Sequence, residues 1–271
     1  MSEDGARVVV ITGASSGIGA ELARQLGRRG DALVLAARSE EALGAVAAGT
    51  GTQTHVVRTD VTKRADVERL RDRALEAFGH VDVWVNNAGR GIDRPVLEIT
   101  EQDFDEMMAV NVKSALYGMQ AIVPHFQERG AGHLVNVSSF LGRVPLATNR
   151  SAYNAAKHAL NALTANLRMD LAARWPGIHV SLVMPGVVAT PFARNAVGAA
   201  PDVPLRAPAG MPAQAVEEAT AAIVDLLDHP RAELYTNPAS PPIVRRYYED
   251  VQAFEETARR AFGAAAPTPP A

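Results

Sequence analysis

The chain has no cysteine among its 271 residues. Disulfides, thiolate zinc sites and cysteine nucleophiles are therefore excluded together, although the absence names no compartment. Charge of one sign is also missing: 27 Lys and Arg against 30 Asp and Glu give a formal net charge of -3. Nothing draws such a surface globally toward nucleic acid or anionic lipid, and neither partner is expected. No apolar run approaches the roughly 18 residues of a membrane span. The opening "MSEDGAR" is acidic and lacks the basic and long apolar regions of a secretory signal, so the expectation is a soluble cytoplasmic protein. Proline (17) and glycine (21) are too few for low complexity, and disorder is expected only at the ends. The seven histidines show no ligand spacing, so no metal site is expected.

What is present fits one large α/β domain of 28.7 kDa more readily than two small ones. Short runs rich in β-branched residues, at 7–12, 32–38, 54–60, 81–87, 132–138 and 178–185, read as strands. Between them, apolar residues recur at helical spacing, as in Leu22 and Leu26, or Val67, Leu70, Ala74 and Phe78. This alternation predicts a doubly wound parallel sheet of about seven strands with helices on both faces. The two longest helical stretches run from about Glu101 to Gln127 and from about Ser151 to Arg174. Each carries small and apolar residues on more than one side, which fits subunit contacts in a homodimer or homotetramer, or deep burial under a large sheet.

Composition then shifts to Ala, Pro and Gly, and a lid-like loop over a hydrophobic substrate is expected at about 191–212. A helix at about 213–229, a short strand "AELYTN" and an amphipathic tail helix with Tyr247, Tyr248, Val251 and Phe254 are expected beyond it. The "RRYY" at 245–248 reads as a basic solvated face beside a buried aromatic one, rather than as a contact for nucleic acid. No linker divides the chain, so residues 1–237 form the main body and 238–271 a helical extension of the same domain, frayed at its end.

The first strand leads into "TGASSGIG", and this strand, glycine turn and helix start place backbone N–H groups at one positive helix end. Gly13 supplies the tight turn, Gly17 lets backbone approach an anion, and Gly19 permits close packing of helix on strand. A plain turn in any sheet protein uses glycine too, so the second strand matters. It ends in "LAARSE", with Arg38 at its tip and no acid there. A guanidinium accommodates a ribose 2′-phosphate, whereas a carboxylate reads the 2′-hydroxyl, so NADP(H) is favoured over NAD(H). In "SAYNAAKHAL", Tyr153 and Lys157 stand four apart on one helix face. An ammonium beside a phenol brings its pKa down from about 10 toward the working range for proton exchange.

Taken in order, "TGASSGIG" (12–19), "NNAG" (86–89), "NVSS" (136–139), "YNAAK" (153–157) and "PGVVAT" (185–190) resemble the short-chain dehydrogenase/reductase family, in its single-domain branch. The resemblance covers about residues 7–237 and implies a Rossmann fold. It implies that Tyr153 is the general acid or base, that Lys157 lowers its pKa and holds the nicotinamide ribose, that Ser139 orients the substrate oxygen, and that Asn111 holds a water of the proton relay. The cofactor would be held by Gly13, Ser15, Ser16, Gly17, Ile18 and Gly19 at its phosphates and by Arg38, Ser39, Asp60 and Val61 at its adenosine. Asn86, Asn87, Ala88 and Gly89 would line it, with Pro185, Gly186, Val188 and Thr190 closing over the nicotinamide. Asn87 and Asn136 also read as side chains that satisfy backbone groups at strand ends.

One departure concerns the serine. Thirteen residues, 140–152, separate Ser139 from Tyr153, one more than the family's commonest spacing, which leaves Ser138 as an alternative. The activity implied is NADP(H)-dependent interconversion of a carbonyl and an alcohol. A 3-oxoacyl thioester reductase, or a non-catalytic NADP(H)-sensing module, are the competing readings.

Overall fold

All five residues of β1 (Val8–Thr12) are buried, as are all six of β2 (Ala32–Ala37). Strands buried on both faces need helices on both sides. The computed structural model describes residues 5–198 and 212–263. Among them, β1, β2, β3 (Thr54–Arg58), β4 (Val83–Asn86), β5 (Gly132–Val137), β6 (Ile178–Met184) and β7 (Glu233–Tyr235) form one parallel sheet in the order β3-β2-β1-β4-β5-β6-β7. The doubly wound parallel sheet expected from the strand and helix alternation, with the Rossmann order the family resemblance implies, is the one observed.

The period of two along each strand builds two cores. Val8, Val10, Val34 and Trp84 face one side, against α3 (Arg64–Phe78), α5 (Ser114–Arg129) and α6 (Ser151–Ala172). Val9, Ile11, Leu33, Leu35 and Val85 face the other, against α1 (Gly17–Arg28), α2 (Glu40–Ala48) and α7 (Val216–Asp228). Strand order reverses between β1 and β4, and the crevice at the C-terminal ends of those strands is where such a sheet takes a ligand.

Two helical expectations are corrected. The stretch expected as one helix from Glu101 to Gln127 is α4 (Glu101–Met108), a π turn at Ala109–Lys113, and α5. The tail is likewise two helices, α8 (Ser240–Glu249) and α9 (Val251–Gly263). Asp250 is extended between them at φ -153°, and its side chain accepts from Ala253 N at 2.9 Å, so it caps a new helix where the pattern alone continues the old one. Tyr247 and Phe254 pack on Phe140 and Val144, while Tyr248 stays 58% exposed, so only one of the two tyrosines is on the expected buried face.

The expected lid at 191–212 lies outside the described residues from 199 to 211. Its described start is tied down: Asp93 N donates to Val197 O at 2.7 Å and Val197 N to Gly91 O at 2.9 Å. No helix among the described residues is long and apolar enough to cross a membrane.

Candidate active site

The glycine turn is built by steric necessity. Gly13 and Gly17 sit at φ +66° and +54°, the left-handed region open to glycine. A Cβ on Gly13 would lie 2.8 Å from Ala88 Cα, and one on Gly19 would lie 2.5 Å from Gly13 O. Gly19 thus packs the helix onto the turn and does not line the cleft. Thr12 Oγ1 accepts from Asn87 N at 3.0 Å and Ala88 N at 3.2 Å, while Asn87 Nδ2 donates to Thr12 O at 2.9 Å and Gly13 O at 3.2 Å. Asn87 therefore satisfies backbone groups as expected, and stitches β4 to the turn. Asn136 differs, pairing with the side chains of Asn86 and Thr164. Asn86 is buried with it on the Trp84 side of the sheet, because alternation turns residue 86 away from the cleft.

At the head of α1, Ser16 makes no side-chain cap and the first turn holds no acid, so its N–H groups are open to an anion. At the next strand tip Ser39 Oγ caps α2 by accepting from Ala42 N at 3.2 Å, which leaves Arg38 as the cation there. Parallel register sets Arg58 beside Ala37, and Arg58 Nε donates to Arg38 O at 3.4 Å. Neither arginine enters an ion pair among the described residues, and both line a side pocket of about 550 Å³ next to the main cleft. Arg58 is not among the residues expected at the site; its one sequence signal is its place at the end of the strand that pairs with β2.

Ser139, Tyr153 and Lys157 meet where β5 ends and α6 begins. Ser138 Oγ is committed to Asn161 Oδ1 at 2.5 Å, whereas Ser139 Oγ accepts only from Leu141 N at 3.1 Å and sits beside the Tyr153 phenol. Tyr153 and Lys157 are 7% and 3% exposed. Lys157 Nζ donates to Val137 O at 3.0 Å and lies 5.6 Å from the centre of the Tyr153 ring. Burial pushes the phenol up to about 12, opposed by the Ser139 hydroxyl and the Arg150 charge, and it pulls Lys157 down to about 7. Desolvation is the leading cause at both groups.

Asn111 lies in the π turn and is 1% exposed. Its Nδ2 donates to Arg90 O at 2.9 Å and Met107 O at 3.1 Å, and its Oδ1 accepts from Arg90 N at 3.2 Å. Gly89 lies between Asn111 and Lys157: a Cβ there would be 2.9 Å from Asn111 Oδ1 and 3.6 Å from Lys157 Nζ.

One open cleft of about 1880 Å³ runs from the glycine turn past Tyr153. It is lined by all the expected catalytic and cofactor residues except Gly19, Asn86, Asn111 and Pro185, with Asn86 turned to the Trp84 side, Asn111 behind Gly89 and Pro185 O accepting from Phe140 N at 2.8 Å. Thr190 closes over the turn, 3.3 Å from where a Gly17 Cβ would stand.

A model of the short chain dehydrogenase family matches residues 7–199. The chain belongs to this family. An oxidoreductase of Staphylococcus epidermidis, described as uncharacterized, is 36% identical over 186 residues, which cover 69% of this chain and 80% of that one. A short chain dehydrogenase/reductase of Burkholderia phymatum, solved in complex with NAD, superposes with a TM-score of 0.83 at 30% identity, covering 93% of this chain and 96% of that one. A short chain dehydrogenase of Burkholderia cenocepacia, solved with NADP, gives 0.77 at 29% identity, covering 94% and 98%.

In this short-chain dehydrogenase the family match ends before α7, yet α9 brings Glu255 and Arg259 to the cleft. Expected only as a helical extension of the same domain, the tail also borders the site. Two more residues outside the expected set line the cleft: Arg90, ion-paired with Glu106, and Phe192, whose ring centre lies 5.7 Å from that of Tyr153. These contacts join segments far apart in sequence, and no local pattern announces them. Among the described residues no group of acids and histidines could hold a metal ion.

Proposed function

We propose that the chain is an NADP(H)-dependent oxidoreductase that interconverts a ketone or aldehyde and an alcohol, with Tyr153 exchanging the proton. The observation that carries this reading is the meeting of Ser139, Tyr153 and Lys157 on the wall of the cleft that begins at the uncapped head of α1. A dinucleotide fits the donors present: free N–H groups for the pyrophosphate, and Arg38 with Arg58 for a 2′-phosphate. When bound, its nicotinamide supplies or accepts the hydride.

The chain's own groups supply orientation and the proton. A phenol held near 12 stays protonated at neutral pH, which is the form needed to donate to a carbonyl oxygen as it becomes an alkoxide. Ser139, whose hydroxyl proton is not committed elsewhere, directs that oxygen toward Tyr153. Ser138 is the weaker choice because its proton goes to Asn161. Lys157 would hold the nicotinamide ribose, and Asn111, on the far side of Gly89 from it, would position a water for reprotonating the phenol. The Leu141, Leu146 and Phe192 side chains fit a hydrophobic substrate. A homodimer or homotetramer remains part of this reading, since α6 leaves Met169 67% exposed.

The test is turnover of a broad carbonyl panel by the purified protein with NADPH and with NADH, followed by loss of nicotinamide absorbance. Carbonyl-dependent oxidation with higher kcat/KM for NADPH is expected. Tight NADPH binding without turnover of any carbonyl or alcohol would replace the enzyme reading by a sensing one.

A further inference from the structure

Around Tyr153 the cleft holds several charged side chains whose partners are evident. Arg90 is paired with Glu106, and Asp93 accepts from Asn149 Nδ2 at 2.6 Å. Arg150, like Arg194 and Arg259 elsewhere along the cleft, lacks such a partner among the described residues, and of the three only its charge is felt at the Tyr153 phenol. It is half-buried, lines the cleft, and forms no ion pair among the described residues. Its one side-chain hydrogen bond runs from Nη1 to Ile92 O at 3.0 Å, which leaves the other guanidinium donors uncommitted.

The group is held firmly in place. Its backbone forms a bridge with Arg94 at the head of α6, and Ser151 Oγ donates to Arg94 O at 2.7 Å. A Cβ on Gly91 would lie 3.0 Å from Arg150 Nη1 and 3.1 Å from the Phe192 ring, so the guanidinium and that ring press on the same backbone. Phe192 in turn leans on Tyr153 at 5.7 Å between ring centres. Guanidinium, apolar ring and phenol thus occupy one short stretch of wall, and the Arg150 charge is felt at the phenol. A positioned fork with free donors in a partly desolvated cleft is a receptor for a planar anion, and carboxylate is the anion whose geometry it matches.

We propose that Arg150 binds a carboxylate of the substrate, so that the cleft takes oxo acids and their hydroxy acids with an apolar remainder. The proposal rests on the carbonyl-reduction reading and narrows it. The carboxylate is unchanged in the reaction: the carbonyl carbon gains a hydride, its oxygen gains the Tyr153 proton, and a C–OH results.

The test pairs 2-, 4- and 5-oxo acids of six to ten carbons with their methyl esters, using NADPH, on the wild type and on Arg150→Gln and Arg150→Lys. The wild type should prefer the acid of its best pair by about tenfold or more in kcat/KM, carried mainly by KM. In Arg150→Gln that ratio should fall to within about threefold of one, and Arg150→Lys should keep an intermediate ratio. Esters turned over as well as acids by the wild type, or an unchanged ratio in folded Arg150→Gln, would overturn the proposal. Calorimetric titration of the same pairs into the protein with NADP⁺ separates the two readings. Acids that bind more tightly than esters without any turnover would retain the carboxylate site and remove the oxidoreductase reading; no difference in binding or turnover would remove the site.

Discussion

Replacing Lys157 by methionine is expected to make the protein more stable at neutral pH. Burial lowers this lysine from its ordinary 10.5 to about 7, and the gap is worth about 5 kcal/mol at about 1.4 kcal/mol per pH unit. The sign follows from proton binding. Between about 7 and 10.5 the unfolded chain holds a proton here that the folded chain lacks, so the penalty is full below pH 7 and fades as pH rises toward 10.5. Methionine fills similar space without a charge to desolvate. It also gives up the bond from Nζ to Val137 O at 3.0 Å, and an unpaired buried carbonyl costs about 1–3 kcal/mol. The net expectation is a gain of about 2–4 kcal/mol at pH 7, shrinking to near zero by about pH 9.5, where the remaining charge penalty of about 1.4 kcal/mol matches the lost bond. Urea unfolding of both proteins without cofactor, at intervals from pH 6 to 9.5, reads this directly. A variant less stable at pH 7, or an advantage that grows with pH, would refute the reasoning.

His133, buried at the start of β5 with Nε2 2.8 Å from Ser181 Oγ, is held down at about 4 by burial and by His179. Because its unfolded value is higher, stability should be full above about pH 6.5 and fall by up to about 3 kcal/mol toward pH 4, a slope that His133→Gln should flatten in urea unfolding. Arg38→Asp should weaken NADPH by about tenfold or more relative to NADH in fluorescence titrations, whereas equal changes would mean that Arg38 does not read the 2′-phosphate. Ser139→Ala should lower kcat by about a hundredfold. Ser138→Ala should instead lower unfolding stability by about 1–3 kcal/mol through the loss of its bond to Asn161, and reversed phenotypes would make Ser138 the substrate-facing serine.

What the sequence made legible was whatever short-range pattern dictates. The strand runs, the helix that carries Tyr153 and Lys157 on one face, and the glycine turn were all readable, because sheet burial, helical period and positive φ each leave a local signature. The π turn was not. Its widened loop is stabilised by Asn111 clasping the backbone of Arg90, 21 positions away, which a helical period cannot announce. Likewise, Arg58 reaches Arg38 only through strand register, and Arg150 meets Phe192 only across Gly91. The burial that raises the Tyr153 phenol and lowers the Lys157 ammonium is a property of packing that spacing four residues apart does not reveal.

The central claim is that Tyr153 delivers the proton to the reduced carbonyl. Tyr153→Phe removes one oxygen and keeps the ring against Phe192, so NADPH affinity is a built-in control for folding. With the best carbonyl substrate and NADPH, the account predicts that NADPH affinity stays within about threefold while kcat falls by at least about a hundredfold. Turnover by Tyr153→Phe equal to that of the wild type would contradict it.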